Sequence, residues 1–265
     1  MKRFFIIANH TKPGTLEAEK KLSGIILGNG GEVVKEAARA ECLLTLGGDG
    51  TIIQTARTYG KLGKPILGIN MGTLGFLAEV SPEDMEEAVK RLLSDDYFVE
   101  ERMALSGKVM RDGQEIYRDF GLNDIVLHSS GASRAISFDI YVNGGYLTRY
   151  FADGIIVASP TGSTAYNLSA GGPIVMPSGE TMLLTPVNPH TLLARSVILP
   201  PDVTVSLILT GKEGETAGAS FDGTTFEPLS TGDELCVFRA NVKVKLLKLH
   251  TDSFIEVLRK KLGNG

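Results

Sequence analysis

The sequence predicts two regions of different class: an α/β domain with a doubly wound parallel sheet over residues 1–97, and a mostly antiparallel, β-rich domain over 98–250. Three observations carry this. Short apolar runs alternate with helix-length segments through the first 95 residues, the order of a parallel sheet. Beyond Phe98 apolar and polar residues alternate with period two and few helical stretches intervene. Between the two textures, Ser94-Asp95-Asp96 closes a helix and marks the boundary.

In order, Phe4 to Ala8 reads as a first strand buried on both faces. A helix from about Leu16 to Leu27 follows, stopped by Gly28-Asn29-Gly30-Gly31. Glu32-Val33-Val34 and Cys42 to Leu46 are the next strands, and Ile66 to Asn70 is a fourth. Ser81-Pro82-Glu83-Asp84 reads as a helix start, with Ser81 as cap, Pro82 in the first turn and Asp84 completing a capping box; that helix runs to about Leu93. In the second region Ile136, Phe138, Ile140 and Val142 form one face of a strand. Asn143-Gly144 then supplies a hairpin turn into Tyr146 to Phe151. Val203 to Leu209 and Val242 to Leu246 alternate likewise and are assigned to the β-rich domain. Ser253 to Lys260 reads as an amphipathic helix, and residues 251–265 are expected to dock back on the first domain.

At 265 residues the chain can bury a substantial core, and a net charge of −4 argues against broad electrostatic binding to nucleic acid. No apolar run is long enough to span a bilayer, and the start lacks a signal-peptide cleavage pattern, so a cytoplasmic protein is expected. Cys42 and Cys236 both fall in apolar segments and read as inert buried thiols. The four histidines show no ligand spacing. Walker A, dinucleotide-fingerprint and nucleophile-elbow patterns are all incomplete.

Gly47-Gly48-Asp49-Gly50-Thr51 joins an apolar strand to a helix start. Glycines permit positive φ and close backbone approach, and the helix N-terminus offers N–H groups to phosphate oxygens. An acid in such a turn repels phosphate unless it holds a metal or handles the proton of an attacking hydroxyl; the plain alternative is a helix cap. Asn123-Asp124, just before an apolar strand, can grip nucleoside hydroxyls or a base edge, or can cap a turn. From Asp153 to Gly172 an acid, a buried strand and the hydroxyl-dense turn Pro160-Thr161-Gly162-Ser163-Thr164 form the richest run, favouring a lined pocket over a cap. Ser220-Phe221-Asp222-Gly223 and Pro189-His190-Thr191 read as ordinary turns.

These blocks, together with Gly68-Ile69-Asn70-Met71-Gly72-Thr73-Leu74-Gly75-Phe76, resemble the NAD kinase family, the ATP-dependent enzymes that phosphorylate NAD to NADP. They occur in family order from about residue 42 to 223. The resemblance implies that Asp49 is the catalytic acid beside the ribose 2′-hydroxyl that attacks the ATP γ-phosphate. It implies that Gly47, Gly48, Gly50 and Thr51 form the phosphate-donor loop. Phe76 would pack on the NAD adenine, and Asn123 and Asp124 would contact the dinucleotide, Asp124 being shorter than the Glu common in relatives. Gly50, Thr161, Thr164, Ala165, Tyr166, Asn167, Leu168 and Ser169 would contribute to NAD binding, with Asp153 on the nicotinamide side. Arg134 and Asn188 match by spacing. The resemblance also implies a divalent metal, usually Mg²⁺, accompanying ATP, and a homodimer or homotetramer with no nucleic-acid or membrane partner. A lipid or sugar kinase sharing the glycine turn, and a non-catalytic dinucleotide sensor, are the alternative readings.

Overall fold

The computed structural model describes residues 1–72, 75–130, 135–191, 194–211, 216–249 and 253–263. The chain divides into two units, Met1–Arg102 with Val242–Gly265, and Met103–Asn241.

In the first unit, strands β1 (Arg3–Ala8), β2 (Glu32–Val33), β3 (Cys42–Gly47) and β4 (Ile66–Asn70) pair in the order β2-β1-β3-β4, all parallel. Helices α1 (Thr15–Gly28), α2 (Asp49–Tyr59) and α3 (Met85–Leu93) connect or flank them. Their buried positions recur at helical spacing: Ala18, Leu22 and Ile26 on α1, and Met85, Ala88, Val89 and Leu92 on α3. These side chains share one core with Leu44, Leu46, Leu67 and Ile69 of β3 and β4. β3 is buried throughout, whereas β1, expected to be buried on both faces, has only Phe4 fully enclosed. The helix expected from Ser81 begins a turn later. Ser81 Oγ donates to Asp84 Oδ2 (2.6 Å) instead of capping the helix, so residues 81–84 are a turn and Met85 starts α3.

The second unit holds two six-stranded antiparallel sheets. After β5 (Phe98–Arg102) closes the first segment, the second unit begins with β6 (Leu105–Arg111), β7 (Gln114–Gly121), β8 (Asp124–Ser129), β9 (Ile136–Val142) and β10 (Gly145–Ala152). There follow β11 (Gly154–Ala158), the one-turn helix α4 (Tyr166–Ser169), β12 (Met182–Val187), β13 (Val197–Leu199) and β14 (Val205–Leu209). β15 (Ala217–Phe221), β16 (Thr225–Leu229) and β17 (Glu234–Arg239) complete it. One sheet runs β10-β9-β14-β17-β6-β7 and the other β13-β12-β11-β8-β15-β16. Inward residues of both, among them Phe138, Ile140, Ile125, Leu127, Ile155 and Phe221, form a single apolar core. The Asn143-Gly144 hairpin forms as expected, both residues having positive φ.

Two strands assigned to the β-rich domain belong elsewhere. β18 (Val244–Lys248) pairs parallel to β4 and antiparallel to β5, which extends the first sheet to β2-β1-β3-β4-β18-β5 and makes it mixed rather than wholly parallel. Period-two alternation names a half-buried strand but not its partner, so the boundaries at 97 and 250 shift to 102 and 242. Helix α5 (Ser253–Leu262) lies in the first unit, with the Phe254 ring 5.8 Å from that of Phe76. Cys42 and Cys236 are buried and unpaired; burial pushes both thiols up, Cys236 to about 11. Among the described residues no helix is long and apolar enough to cross a membrane.

Candidate functional site

The glycine turn of the first unit sits at the carboxyl end of β3, where parallel sheets present ligand sites. None of Gly47, Gly48 and Gly50 adopts a positive φ, and only at Gly47 does lack of space rather than chirality require glycine; a Cβ on Gly50 would meet nothing within 4 Å. A Cβ on Gly47 would collide with the Thr51 side chain, and one on Gly48 would stand 2.9 Å from Lys12 Nζ. Lys12, in the turn between β1 and α1, lays its ammonium over this backbone and near Gly72. No hydrogen-bonding or ion-pair partner holds that ammonium among the described residues.

Asp49 is the first residue of α2, but its carboxylate does not cap that helix. It accepts from the N–H groups of Phe76 (2.7 Å, to Oδ2), Leu77 (3.1 Å) and Ala78 (3.3 Å, both to Oδ1). Three of its roughly four lone-pair positions are thus used on the segment after Gly75, and among the described residues one remains on Oδ2. Gly75 is glycine because a Cβ there would run into this carboxylate. The same segment is fastened further on: Lys248 Nζ and the Leu249 N–H both bond to the buried Glu79 carboxylate, at 2.8 and 3.1 Å. Phe76 is therefore held from behind its backbone, while its ring meets Phe254 and has Lys261 Nζ 5.3 Å from its centroid.

The second unit carries a cleft of about 620 Å³ on the outer face of the sheet containing β8. Because side chains alternate, Asp124, Val126 and His128 face this cleft while Ile125 and Leu127 enter the core. Asn123, Asp153, Ala165, Tyr166, Ser220 and Asp222 also line it. The Asp124 carboxyl is 5% exposed and has no hydrogen-bond partner among the described residues. Burial, and secondarily the charge of Asp222, push it up to about 7. Burial and the charges of Asp153 and Asp124 raise the Tyr166 phenol as well. Asn188 donates to Asp153 Oδ2 (2.9 Å), so two expected contact residues act as one unit. A buried, unpaired acid beside amide and phenol groups suits the hydroxyl and amide donors of a nucleoside.

Several expected residues stand elsewhere. Asn167 is fully buried, and its amide is consumed inside the fold. Its Oδ1 accepts from Thr185 Oγ1 (2.7 Å), and its Nδ2 donates to Ser163 O and Pro173 O. It anchors the 163–173 loop rather than presenting a ligand group. Thr161 is buried, Leu168 and Ser169 are exposed, and Thr164 is half-buried; none of the four lines the cleft. Arg134 lies outside the described residues, as do Thr73 and Leu74 of the motif before Phe76. Sequence reasoning missed Lys12, His128 and Asp222. His128 had one available signal: it shares period-two phase with Asp124.

A glycine turn with a free cation on one unit, and a nucleoside-type cleft on the other, place the protein in the phosphotransferase class that works on nucleotides. Residues 6–97 match the model of the ATP-NAD kinase N-terminal domain, and residues 122–249 that of the ATP-NAD kinase C-terminal domain. The chain is 41% identical over 284 residues to the NAD kinase of Agathobacter rectalis, covering all of this chain and 99% of that protein. To the NAD kinase of Lachnoclostridium phytofermentans it is 39% identical over 284 residues, covering both chains fully. Its fold resembles yeast NADH kinase complexed with NADH (TM-score 0.87, 26% identity, 99% of this chain and 88% of that one). It also resembles an NAD kinase from Archaeoglobus fulgidus in complex with ATP (TM-score 0.79, 24% identity, 97% and 98% covered). The chain belongs to the NAD kinase family, with the NAD kinase activity for which its full-length relatives are named.

Proposed function

We propose that this chain transfers the γ-phosphate of ATP to the 2′-hydroxyl of the adenosine ribose of NAD, with Asp49 receiving the hydroxyl proton. The O–H bond breaks toward the carboxylate as the ribose oxygen bonds to phosphorus, and the bond to the β-phosphate oxygen breaks to release ADP. The observation that carries this reading is the acceptor position left on Asp49 Oδ2 among the described residues, beside a glycine turn over which Lys12 lays its ammonium. An acid committed wholly to capping would have none.

In this reading Gly47, Gly48, Gly50 and Thr51 receive the donor phosphates, and the Lys12 ammonium neutralises part of their charge. NAD is held by Asn123, Asp124, Asp153 with Asn188, Ala165 and Tyr166, and Phe76 packs on its adenine. Among the described residues no three His, Cys, Asp or Glu side chains gather as a metal cage. Magnesium usually keeps its waters and binds through substrate phosphates, so the divalent ion belongs to the donor, as MgATP. A homodimer or homotetramer is supported by the edge strand β10, where Tyr146, Leu147 and Phe151 are exposed. Light scattering of the purified protein gives its mass in solution. The decisive assay supplies ATP, Mg²⁺ and either NAD or NADH, and detects the product, NADP from NAD or NADPH from NADH, with an NADP-specific dehydrogenase. No product above the level of Asp49→Asn overturns the proposal.

A further inference from the structure

Asp222 lies at the tip of the hairpin between β15 and β16, in a turn closed by the Thr224 N–H to Phe221 O bond (3.1 Å). As a sequence element it is ordinary turn punctuation. In the fold its carboxylate leaves the hairpin and accepts three consecutive main-chain N–H groups: Leu122 (2.8 Å, Oδ2), Asn123 (2.7 Å, Oδ1) and Asp124 (3.1 Å, Oδ1). Its own N–H donates to Asp124 O at 3.0 Å. The opposite side of this segment is held equally firmly. Ser159 Oγ donates to Leu122 O (2.6 Å), and the Ser159 N–H donates to Asn123 O (2.8 Å). A carboxylate that takes three adjacent N–H groups cannot be replaced by water without loosening all three, and bonds to a charged acceptor are among the stronger ones.

We infer that Asp222 is a positioning residue for dinucleotide recognition: by clamping the N–H groups of 122–124 it sets the backbone from which the Asn123 amide and the Asp124 carboxyl enter the cleft. The inference rests on the reading of that cleft as the NAD site. It goes beyond it in assigning the pre-formed geometry to a side chain on a different hairpin, 98 residues further along the chain from Asp124. Asp222 has a second effect on its client. Its charge opposes ionisation of Asp124, so one carboxylate both places and electrostatically loads the other.

The test compares Asp222→Asn with Asp124→Asn and Asn123→Ala in the full-length enzyme. An asparagine at 222 keeps the shape, but its amide group points donors at donors. KM for NAD is expected to rise about tenfold, kcat to fall far less and KM for ATP to stay put, as loss of uniform binding requires. The acid limb of the NAD KM profile is expected to move to lower pH, because Asp124 loses a repelling neighbour. A lowered melting temperature with the NAD KM and the pH limb unmoved overturns the inference and leaves the cleft assignment standing. If Asp124→Asn and Asn123→Ala also leave the NAD KM unchanged, the cleft assignment itself fails. Hydrogen exchange on the wild-type protein decides the matter even if Asp222→Asn does not fold. Amides 122–124 are expected to be protected before NAD is added, and exchange that slows only on NAD binding overturns the inference.

Discussion

The Phe76 N–H donates to Asp49 Oδ2 at 2.7 Å, so the acid assigned to catalysis and the ring assigned to adenine packing are joined by one hydrogen bond. Asp49→Asn therefore does two things. It removes the proton acceptor, and it turns an amide donor toward the N–H groups of residues 76–78. A decrease in kcat of about 10²–10⁴-fold is expected from the first, in the usual range for a lost general base. Faster hydrogen exchange at 76–78 and a higher NAD KM are expected from the second. Steady-state kinetics and exchange on the same preparation separate them; kcat within twofold of wild type would remove Asp49 from the chemistry.

Lys12 offers a cation to the donor phosphates while having no carboxylate of its own to satisfy among the described residues. Lys12→Met preserves the aliphatic stem and is expected to raise KM for ATP about tenfold, the worth of one charge-assisted contact. KM for NAD should hold. The ATP KM of the variant should also depend less on ionic strength than that of the wild type, since a screened attraction has been deleted. Equal ATP KM values at low salt would show that the ammonium contacts no phosphate.

Much of this was legible in the sequence where the signal is local. The run Cys42 to Leu46, followed by glycines and a helix start, reads as strand, turn and helix, and the structure places β3 and α2 there. What escaped is what depends on pairing between distant segments. Val244–Lys248 alternates in the same way whether it joins an antiparallel sandwich or lies beside β4. Asp124-Ile125-Val126-Leu127-His128 looks like a plain apolar strand because one face enters the core and the other carries Val126 among its polar residues. Lys12 and Asp222 are ordinary loop residues until the fold brings Gly48 beneath the one and the amides of 122–124 before the other.

Asp124 ties stability to pH. Its carboxyl is raised from an ordinary 3.8 to about 7 by burial and by Asp222. Below the unfolded value both states hold the proton, and the site adds no penalty. As pH climbs toward 7 the unfolded chain has lost the proton and the folded one retains it, so stability falls through that interval and levels above it. Asp124→Asn should therefore melt higher than wild type near pH 8, by an amount on the order of a few kcal/mol at most. The difference should shrink toward pH 4. Its NAD KM should rise, and the acid limb of the NAD profile should disappear. Melting curves at four pH values suffice, and a pH-independent difference would place the Asp124 carboxyl in an ordinary environment.

Two glycine-to-alanine changes should move stability in opposite directions. Gly24 lies inside α1, where a Cβ would meet nothing within 4 Å. Alanine there removes backbone freedom from the unfolded chain and should stabilise by about 0.5–1 kcal/mol, with kinetics unchanged. Gly162, in the hydroxyl-rich turn, packs against the main chain of Asn123, and a Cβ would collide with that carbonyl. Backbone cannot rotate away as a side-chain tip can, so Gly162→Ala must push the 159–164 turn off the segment that Ser159 fastens. A cost of about 1–3 kcal/mol is expected, in the range of an overpacked core. The NAD KM should rise and the ATP KM should not. If Gly162→Ala lowers the melting temperature but leaves the NAD KM intact, the contact between Gly162 and Asn123 serves the fold alone.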